Sequence, residues 1–348
     1  MRAEGSSFRR ATTSSLRQIA SNEGSRIWMA LALLVLISAI ATPATLSGRA
    51  LLTMLPVAAV LAVASIGQSL TIQQGGIDFS VPGVMTMTAV LVTGVSKSSN
   101  DRLGIALVIS LVVACLIGAA NGLAISLLRI PAIISTLAVN ALALGAVSSY
   151  ASASPKQAPS ALAKFAIDRT LGVPNAVIVA VIVVAVAVVV QTRMSLGRKF
   201  VAIGDNPAAA RAIGLPVTRY LIGTYVVAAF CYGLAGIILA GYVVAPNLKL
   251  GSPYLLSTIT AVVIGGTAFG GGRARLIGAA AAAIFLTQLN SVLSALGAPP
   301  STSLVLQAVA IAVAVAVGPA VAVVRRSRQT RLLARVNPRI GTAGGQQP

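Results

Sequence analysis

Residues 176–190 read AVIVAVIVVAVAVVV, and residues 191–220, which follow, read QTRMSLGRKFVAIGDNPAAARAIGLPVTRY. A run of that length with no polar side chain belongs in hydrocarbon, and the polar island after it belongs on a membrane surface. Within the island, Gly204-Asp205-Asn206-Pro207-Ala208-Ala209-Ala210-Arg211-Ala212-Ile213-Gly214 carries helix start and stop signals. Asp205 or Asn206 can cap the first free N–H groups, Pro207 suits the first helical position, and Gly214 suits the left-handed exit. A helix of about two turns is well below the ~12 residues at which isolated helices become even marginal in water. It therefore needs a surface to pack against, and a docking helix for a partner is the sharp reading. A solvated loop with one helical turn is the plain alternative.

Hydrophobic residues make up 57% of the 348 and charged residues only 9%, a balance that excludes a soluble globular domain. Working outward from 176–190, the hydropathy pattern predicts an all-α polytopic membrane protein with about ten transmembrane helices. The spans are Ile27 to Ile40, Leu51 to Ile72, Pro82 to Ser96, Leu103 to Leu128, Ile130 to Tyr150, Pro174 to Gln191, Leu221 to Val244, Leu255 to Phe269, Leu276 to Leu296 and Ser303 to Val324. The third and eighth are short for a hydrocarbon core of ~30 Å and are expected to be broken or re-entrant.

An even number of spans puts both termini on one side of the membrane, and 19 of the 26 Lys and Arg residues fall in segments on that side. The positive-inside rule makes it the cytoplasm. The expected organisation is a cytoplasmic tail over 1–26, a transmembrane domain over 27–324 with a cytoplasmic loop at 192–220, and a basic cytoplasmic tail over 325–348. The first apolar stretch lacks a small-residue cleavage site and reads as a retained span. The net charge of +20 is scattered over loops and tails without interleaved aromatics. It suits anionic lipid headgroups and argues against nucleic acid as a partner.

The chain has no histidine and no Gly-Lys pair, so it offers neither an imidazole base nor a phosphate-cradling Walker loop. It is not expected to hydrolyse ATP or to be an enzyme, and no catalytic or metal-binding residues are assigned. Cys115 and Cys231 both fall inside spans, where they read as small apolar residues. Asp78 is the one acid near the hydrocarbon. An ion-coupled carrier would rest on that carboxylate alone.

The other polar groups among the spans are neutral: Gln68, Gln73 and Gln74 around the end of the second span, Asn121 in the fourth, Asn140 in the fifth, and Gln288 and Asn290 in the ninth. They suit a hydrated path for a polyhydroxylated solute, and equally interhelical hydrogen bonds of ~0.6 kcal/mol each. Aromatic residues are 4% of the chain, so stacking platforms for a tightly held sugar look scarce. Two glycine-rich interruptions, Gly75-Gly76-Ile77-Asp78-Phe79-Ser80-Val81-Pro82-Gly83 and Gly265-Gly266-Thr267-Ala268-Phe269-Gly270-Gly271-Gly272-Arg273, point to an internal repeat with broken elements. Backbone groups freed at such breaks must face protein or water. Asp78 or Ser80 can cap the helix that starts near Pro82, or Asp78 can act as a gate.

These motifs closely resemble the permease subunits of ribose-type ABC importers, within the wider family that also serves branched-chain amino acids. The matching segments are Gly67-Gln68-Ser69-Leu70, Gly75-Gly76-Ile77-Asp78-Phe79-Ser80, Asn121-Gly122-Leu123 and Ile130-Pro131-Ala132-Ile133-Ile134-Ser135-Thr136-Leu137. Leu196-Gly197-Arg198, the stretch Ala202 to Arg211, Ile213-Gly214, and Val263-Ile264-Gly265-Gly266-Thr267 with Gly270-Gly271-Gly272-Arg273 continue the series in order.

The resemblance implies a channel subunit of the bacterial cytoplasmic membrane, paired with a second permease copy or a paralogue. Cytoplasmic ATPase subunits would drive it and an extracytoplasmic solute-binding protein would feed it. No cofactor would sit in this chain, ATP being bound by the ATPase. Gly204, Asp205, Asn206, Pro207, Ala210, Arg211 and Gly214 would form the coupling helix docked on the ATPase. Gln68, Gly75, Gly76, Asp78, Ser80, Asn121, Asn140, Gly265, Gly266 and Thr267 would line or gate the path, with specificity set mainly by the binding protein. An ion-coupled carrier, a branched-chain amino acid permease and a membrane scaffold are the alternatives.

Overall fold

The computed structural model describes residues 25–150, 156–268 and 270–312. Residues 1–24 of the expected tail over 1–26, the expected tail over 325–348 and the end of the tenth span lie outside the described residues. The helices are α1 (Ser25–Ala41), α2 (Gly48–Gln73), α3 (Val81–Ser96), α4 (Leu103–Ser126), α5 (Ala132–Tyr150), α6 (Ser160–Ile167) and α7 (Asn175–Arg193). They continue as α8 (Ser195–Asp205), α9 (Pro207–Ala212), α10 (Val217–Val243), α11 (Tyr254–Ile264), α12 (Leu276–Ala295) and α13 (Pro300–Ala312). A 3-10 turn at Pro43–Leu46 precedes α2, and a two-residue ribbon pairs β1 (Arg169–Thr170) with β2 (Val173–Pro174).

Six of these helices, α2, α4, α5, α7, α10 and α12, are long and apolar enough to cross a bilayer, and α1, α3, α11 and α13 are shorter apolar helices. The chain is an all-α, multi-pass membrane protein. Its outer helices turn large apolar side chains outward, among them Leu36 and Ile40 on α1, Leu116 on α4, Leu142 on α5 and Val186 on α7. Such faces are stable against lipid and not against water.

The interior is built on α10, which packs against α2, α3 and α4. Its contacts use small residues. Val60, Val63 and Ala64 of α2, Ala228 and Ala235 of α10, and Ala282 of α12 are fully buried. At Gly236 the closeness becomes obligatory, because a Cβ there would collide with the Met85 backbone and the Thr88 hydroxyl of α3. In lipid, where packing drives helix association, this intimacy is the main source of cohesion.

The connections between helices gather in hydrogen-bonded clusters. In one, Ser98 Oγ donates to the Gln157 carbonyl (2.8 Å), Asn100 Nδ2 to Ser160 Oγ (2.9 Å), and Ala158 N to Val244 O (2.7 Å). In another, Gln74 Nε2 donates to Phe200 O (2.9 Å), so the polar island sits there with the glycine breaks.

The two spans expected to be short are short. Helix α11, with 11 residues, is ~16 Å long and covers about half of a hydrocarbon core. It ends at Ile264 and not at Phe269, because Gly265 and Gly266 close it. The chain before it folds inward: Gly251 lies against the Pro82 backbone, and its N–H donates to Thr86 Oγ1 (3.1 Å). The polar island differs from expectation in holding two helices, α8 and α9. Helix α6 and the ribbon, between α5 and α7, had no clear signal in the sequence.

A Gly236→Val substitution should lower the midpoint of thermal unfolding in detergent and the yield of monodisperse protein, by an overpacking cost of ~1–3 kcal/mol. Gly145→Ala, where an added Cβ meets open space, should leave both unchanged. Fluorescence-detected gel filtration after heating measures the difference.

Candidate functional site

The island end is assembled from local signals. The Asn206 side chain accepts from Ala208 N (3.1 Å) and Ala209 N (3.0 Å), Pro207 opens α9, and Gly214 leaves it at φ +80°. Asn206 is therefore the cap. Asp205 closes α8 instead, and Gly204 lies within α8, so the expected helix from Gly204 to Gly214 is the end of one helix and all of the next. The packing surface for α9 comes from its neighbours: Ala210 is buried with Ile203 of α8 and Val217 of α10. Pro207, Ala208, Ala209, Arg211 and Ala212 are exposed, and Ile213 is 75% exposed. A capped helix thus presents alanine methyls and one guanidinium to its surroundings.

Beneath this face three backbone segments meet. A Cβ on Gly204 would collide with the Gln73 carbonyl oxygen, and one on Gly271 with the Gly204 carbonyl oxygen. The same Gln73 carbonyl accepts from Gly272 N (3.1 Å). Side chains close the junction: Gln191 Nε2 donates to Gln73 Oε1 (2.9 Å), and Gln74 Nε2 to Phe200 O (2.9 Å). The end of α2, the end of α8 and the loop between α11 and α12 are thereby joined with almost nothing but peptide groups between them.

Sequence reasoning passed over Gln73, Gln74, Gly271 and Gly272 as members of this junction. Its one sequence signal is a pair of glutamines directly before a glycine pair.

The two glycine breaks have the same construction. Helix α2 ends with Gly75 at φ +78° and Gly76 N donating to Thr71 O (3.0 Å). Helix α11 ends with Gly266 at φ +95° and Thr267 N donating to Val262 O (3.1 Å). In each, a left-handed glycine turns the chain so that the following N–H satisfies a carbonyl of the last turn. Thr267 Oγ1 also accepts from Arg275 N (3.0 Å), which pins the start of α12.

Gln68, Asp78, Ser80 and Asn121 come together with Tyr232 in the interior. All five are at most 1% exposed. Asp78 Oδ1 accepts from Ser80 N (2.8 Å) and Ser80 Oγ (2.6 Å), Asn121 Nδ2 donates to Ser80 Oγ (3.2 Å), and Ser135 Oγ donates to Asn121 Oδ1 (3.1 Å). With its amide nitrogen turned toward Tyr232 Oη (3.0 Å), Gln68 also donates to Asp78 O (3.1 Å) and accepts from Asp78 N (3.3 Å). Asn140 Oδ1 accepts from Gly83 N (2.8 Å), and Thr136 Oγ1 from Phe79 N (3.0 Å).

The side chains of other helices thus satisfy the backbone freed between α2 and α3, as the absence of water requires. Asp78 folds back on Ser80 N, and the Ser80 side chain makes no bond to the first turn of α3. In this conformation the candidate path residues close the break. None of them lines the cavities of about 620, 580 and 340 Å³.

Residues 50–315 match the family described as branched-chain amino acid transport system / permease component. Among curated proteins, the chain is similar to the ribose import permease protein RbsC of Escherichia coli, with 32% identity over 81% of this chain and 89% of that protein. RbsC of Bacillus subtilis is 30% identical over 82% of this chain and 89% of its own length. The autoinducer 2 import system permease protein LsrC of Enterobacter sp. (strain 638) is 33% identical over 72% and 73%. No solved structure matches. With a family match over most of its length and relatives aligned nearly end to end, the chain belongs to the permease component family of the branched-chain amino acid transport systems.

Proposed function

We propose that this chain is the membrane channel subunit of an ATP-binding-cassette importer, carrying a sugar or related neutral solute across the bacterial cytoplasmic membrane. The names of the ribose and autoinducer 2 permeases support the solute class. Separate ATPase subunits drive the cycle, a solute-binding protein delivers the solute, and a second permease copy or paralogue completes the channel. The chain has no catalytic chemistry of its own.

Ten crossings and cytoplasmic termini fit the six long and four shorter apolar helices with the charge bias of the connecting segments. The like-built ends at Gly75 and Gly266 favour an internal repeat of broken helices.

The observation that carries the coupling role is the junction under α9. In this reading α9, with Asn206, Pro207, Ala210, Arg211 and Gly214, sits in a groove of the ATPase, and Gly204 and Asp205 form the stem behind it. When the ATPases close they displace α9. The contact of Gly204 with Gln73 and Gly271 passes that displacement to α2 and to the loop that joins α11 to α12. The breaks at Gly75, Gly76, Gly265, Gly266 and Thr267 let these helices tilt, while Gln68, Asp78, Ser80, Asn121 and Asn140 hold or release the start of α3.

A second reading, an ion-coupled carrier, is favoured by one observation. Asp78 is 1% exposed, and its Oδ2 has no partner among the described residues.

Affinity purification of the tagged chain from mild detergent should recover an ATPase subunit, and Arg211→Glu should lose it while the permease remains in the membrane. Gly204→Val should cut solute uptake by more than ~10-fold, about 1.4 kcal/mol of coupling, with ATP hydrolysis continuing. Normal uptake in both variants would overturn the coupling role of α9. Asp78→Asn, which keeps the acceptor for Ser80, should retain uptake that collapse of the proton gradient does not abolish. Loss of all uptake in a stable Asp78→Asn protein would instead favour the carrier.

A further inference from the structure

One cavity among the described residues mixes hydroxyl and amide groups with its apolar wall. It measures about 620 Å³ and opens at the end of the bundle opposite α9. It is walled by the outer halves of α2 and α12, by Tyr242 at the end of α10, and by Pro253 and Tyr254 at the start of the half-length helix α11. Nine of its fifteen lining residues carry uncharged polar side chains, and none among the described residues is charged. Two others, of about 580 and 340 Å³, present almost wholly apolar walls. The mixed one falls in the size range of small-molecule sites, roughly 300–1,000 Å³.

Its hydroxyls divide into two chemical groups. Thr53, Thr287 and Ser291 donate their protons to carbonyls of their own helices (2.9, 2.8 and 3.1 Å), and Tyr242 Oη donates to Thr53 O (3.0 Å). These oxygens offer acceptor lone pairs only. Tyr254 Oη, Ser294 Oγ and Asn290 Nδ2 make no hydrogen bond to protein among the described residues, so they supply donors.

A chain of hydrogen bonds holds the Asn290 amide. Ser257 Oγ reaches both the Pro253 carbonyl (2.9 Å) and Gln307 Oε1 (3.1 Å), Gln307 Nε2 donates to Ser303 Oγ (3.1 Å), and Ser303 Oγ donates to Asn290 Oδ1. In this orientation the Asn290 nitrogen is left to donate. A ligand matched to this wall must donate and accept at several neighbouring positions while carrying no charge. A carboxylate or ammonium would find no counter-charge among the lining residues.

We propose that this cavity is a solute subsite of the permease itself, selective for neutral polyhydroxylated molecules over amino acids, with Asn290, Tyr254 and Ser294 as the residues that recognise hydroxyls. The two tyrosine rings supply apolar faces for the C–H side of a sugar. The inference rests on the importer reading, which places this end of the bundle outside, facing the binding protein. It goes further in giving the permease a share in choosing the solute, where the sequence led to the expectation that specificity belongs mainly to the binding protein.

The test uses the full chain in lipid nanodiscs with Ala50→Cys, a lining position outside the three recognition residues, in a Cys115→Ala, Cys231→Ala background, alkylated by a membrane-impermeant maleimide. D-ribose, D-xylose, D-galactose and ribitol serve as probes, with zwitterionic L-leucine, which carries both an ammonium and a carboxylate, as the competitor. At least one of the four should slow alkylation several-fold and L-leucine should not. Asn290→Leu and, separately, Tyr254→Phe should weaken that protection by up to ~10-fold, the worth of one hydrogen bond to a neutral partner.

Equal alkylation rates of the Ala50→Cys chain with and without all four probes would overturn the proposal. Protection by L-leucine alone would overturn it as well. Uptake by the Arg211→Glu chain, measured beside these, reports separately on the importer reading, since Arg211 lies at the far end of the molecule.

Discussion

A peptide group in hydrocarbon has no water to bond, and most of this structure follows from that. Unbroken helices satisfy the rule internally, but α3 and α11 are too short to span, and the glycines before α3 and after α11 leave peptide groups without helical partners. Around the first break the molecule uses its scarce interior polar side chains as replacements for solvent: Gln68 on the Asp78 peptide, Thr136 on Phe79 N, Asn140 on Gly83 N. Around the second, Thr267 serves Arg275 N. The same residues that look like a hydrated path in the sequence are, in this conformation, the caps that allow the helices to be broken.

This explains which parts of the site were legible in the chain. Capping is a local interaction, so Asn206, Pro207 and Gly214 could be read within a window of nine residues. The helix before them was hidden, because Gly197 and Gly204 lower its intrinsic propensity and its formation depends on packing against α7 and Gln73. The burial of Gln68 and Asn121 followed from their place in apolar spans. Their partners did not, since Tyr232 lies 164 residues from Gln68 and Ser80 lies 41 from Asn121.

The polar cavity shows the complementary case. Thr287, Asn290, Ser291 and Ser294 recur at helical spacing, a stripe that was available in the sequence. Serine and threonine in apolar helices usually bond their own backbone, so the stripe gains meaning only once α2 and α11 close a space around it. The brevity of α11 creates that space. A full-length helix in its place would fill the volume that Tyr254 now borders.

The absence of charge on that cavity wall has an electrical consequence. A charged group that moves through the whole field of a bilayer does work of about 2.3 kcal/mol per 100 mV, and a wall of hydroxyls and amides does almost none. Opening and closing around a neutral solute would then displace no gating charge from this part of the molecule. The membrane potential would neither assist nor oppose the step, which could run at the same rate in an energised cell and in a depolarised one.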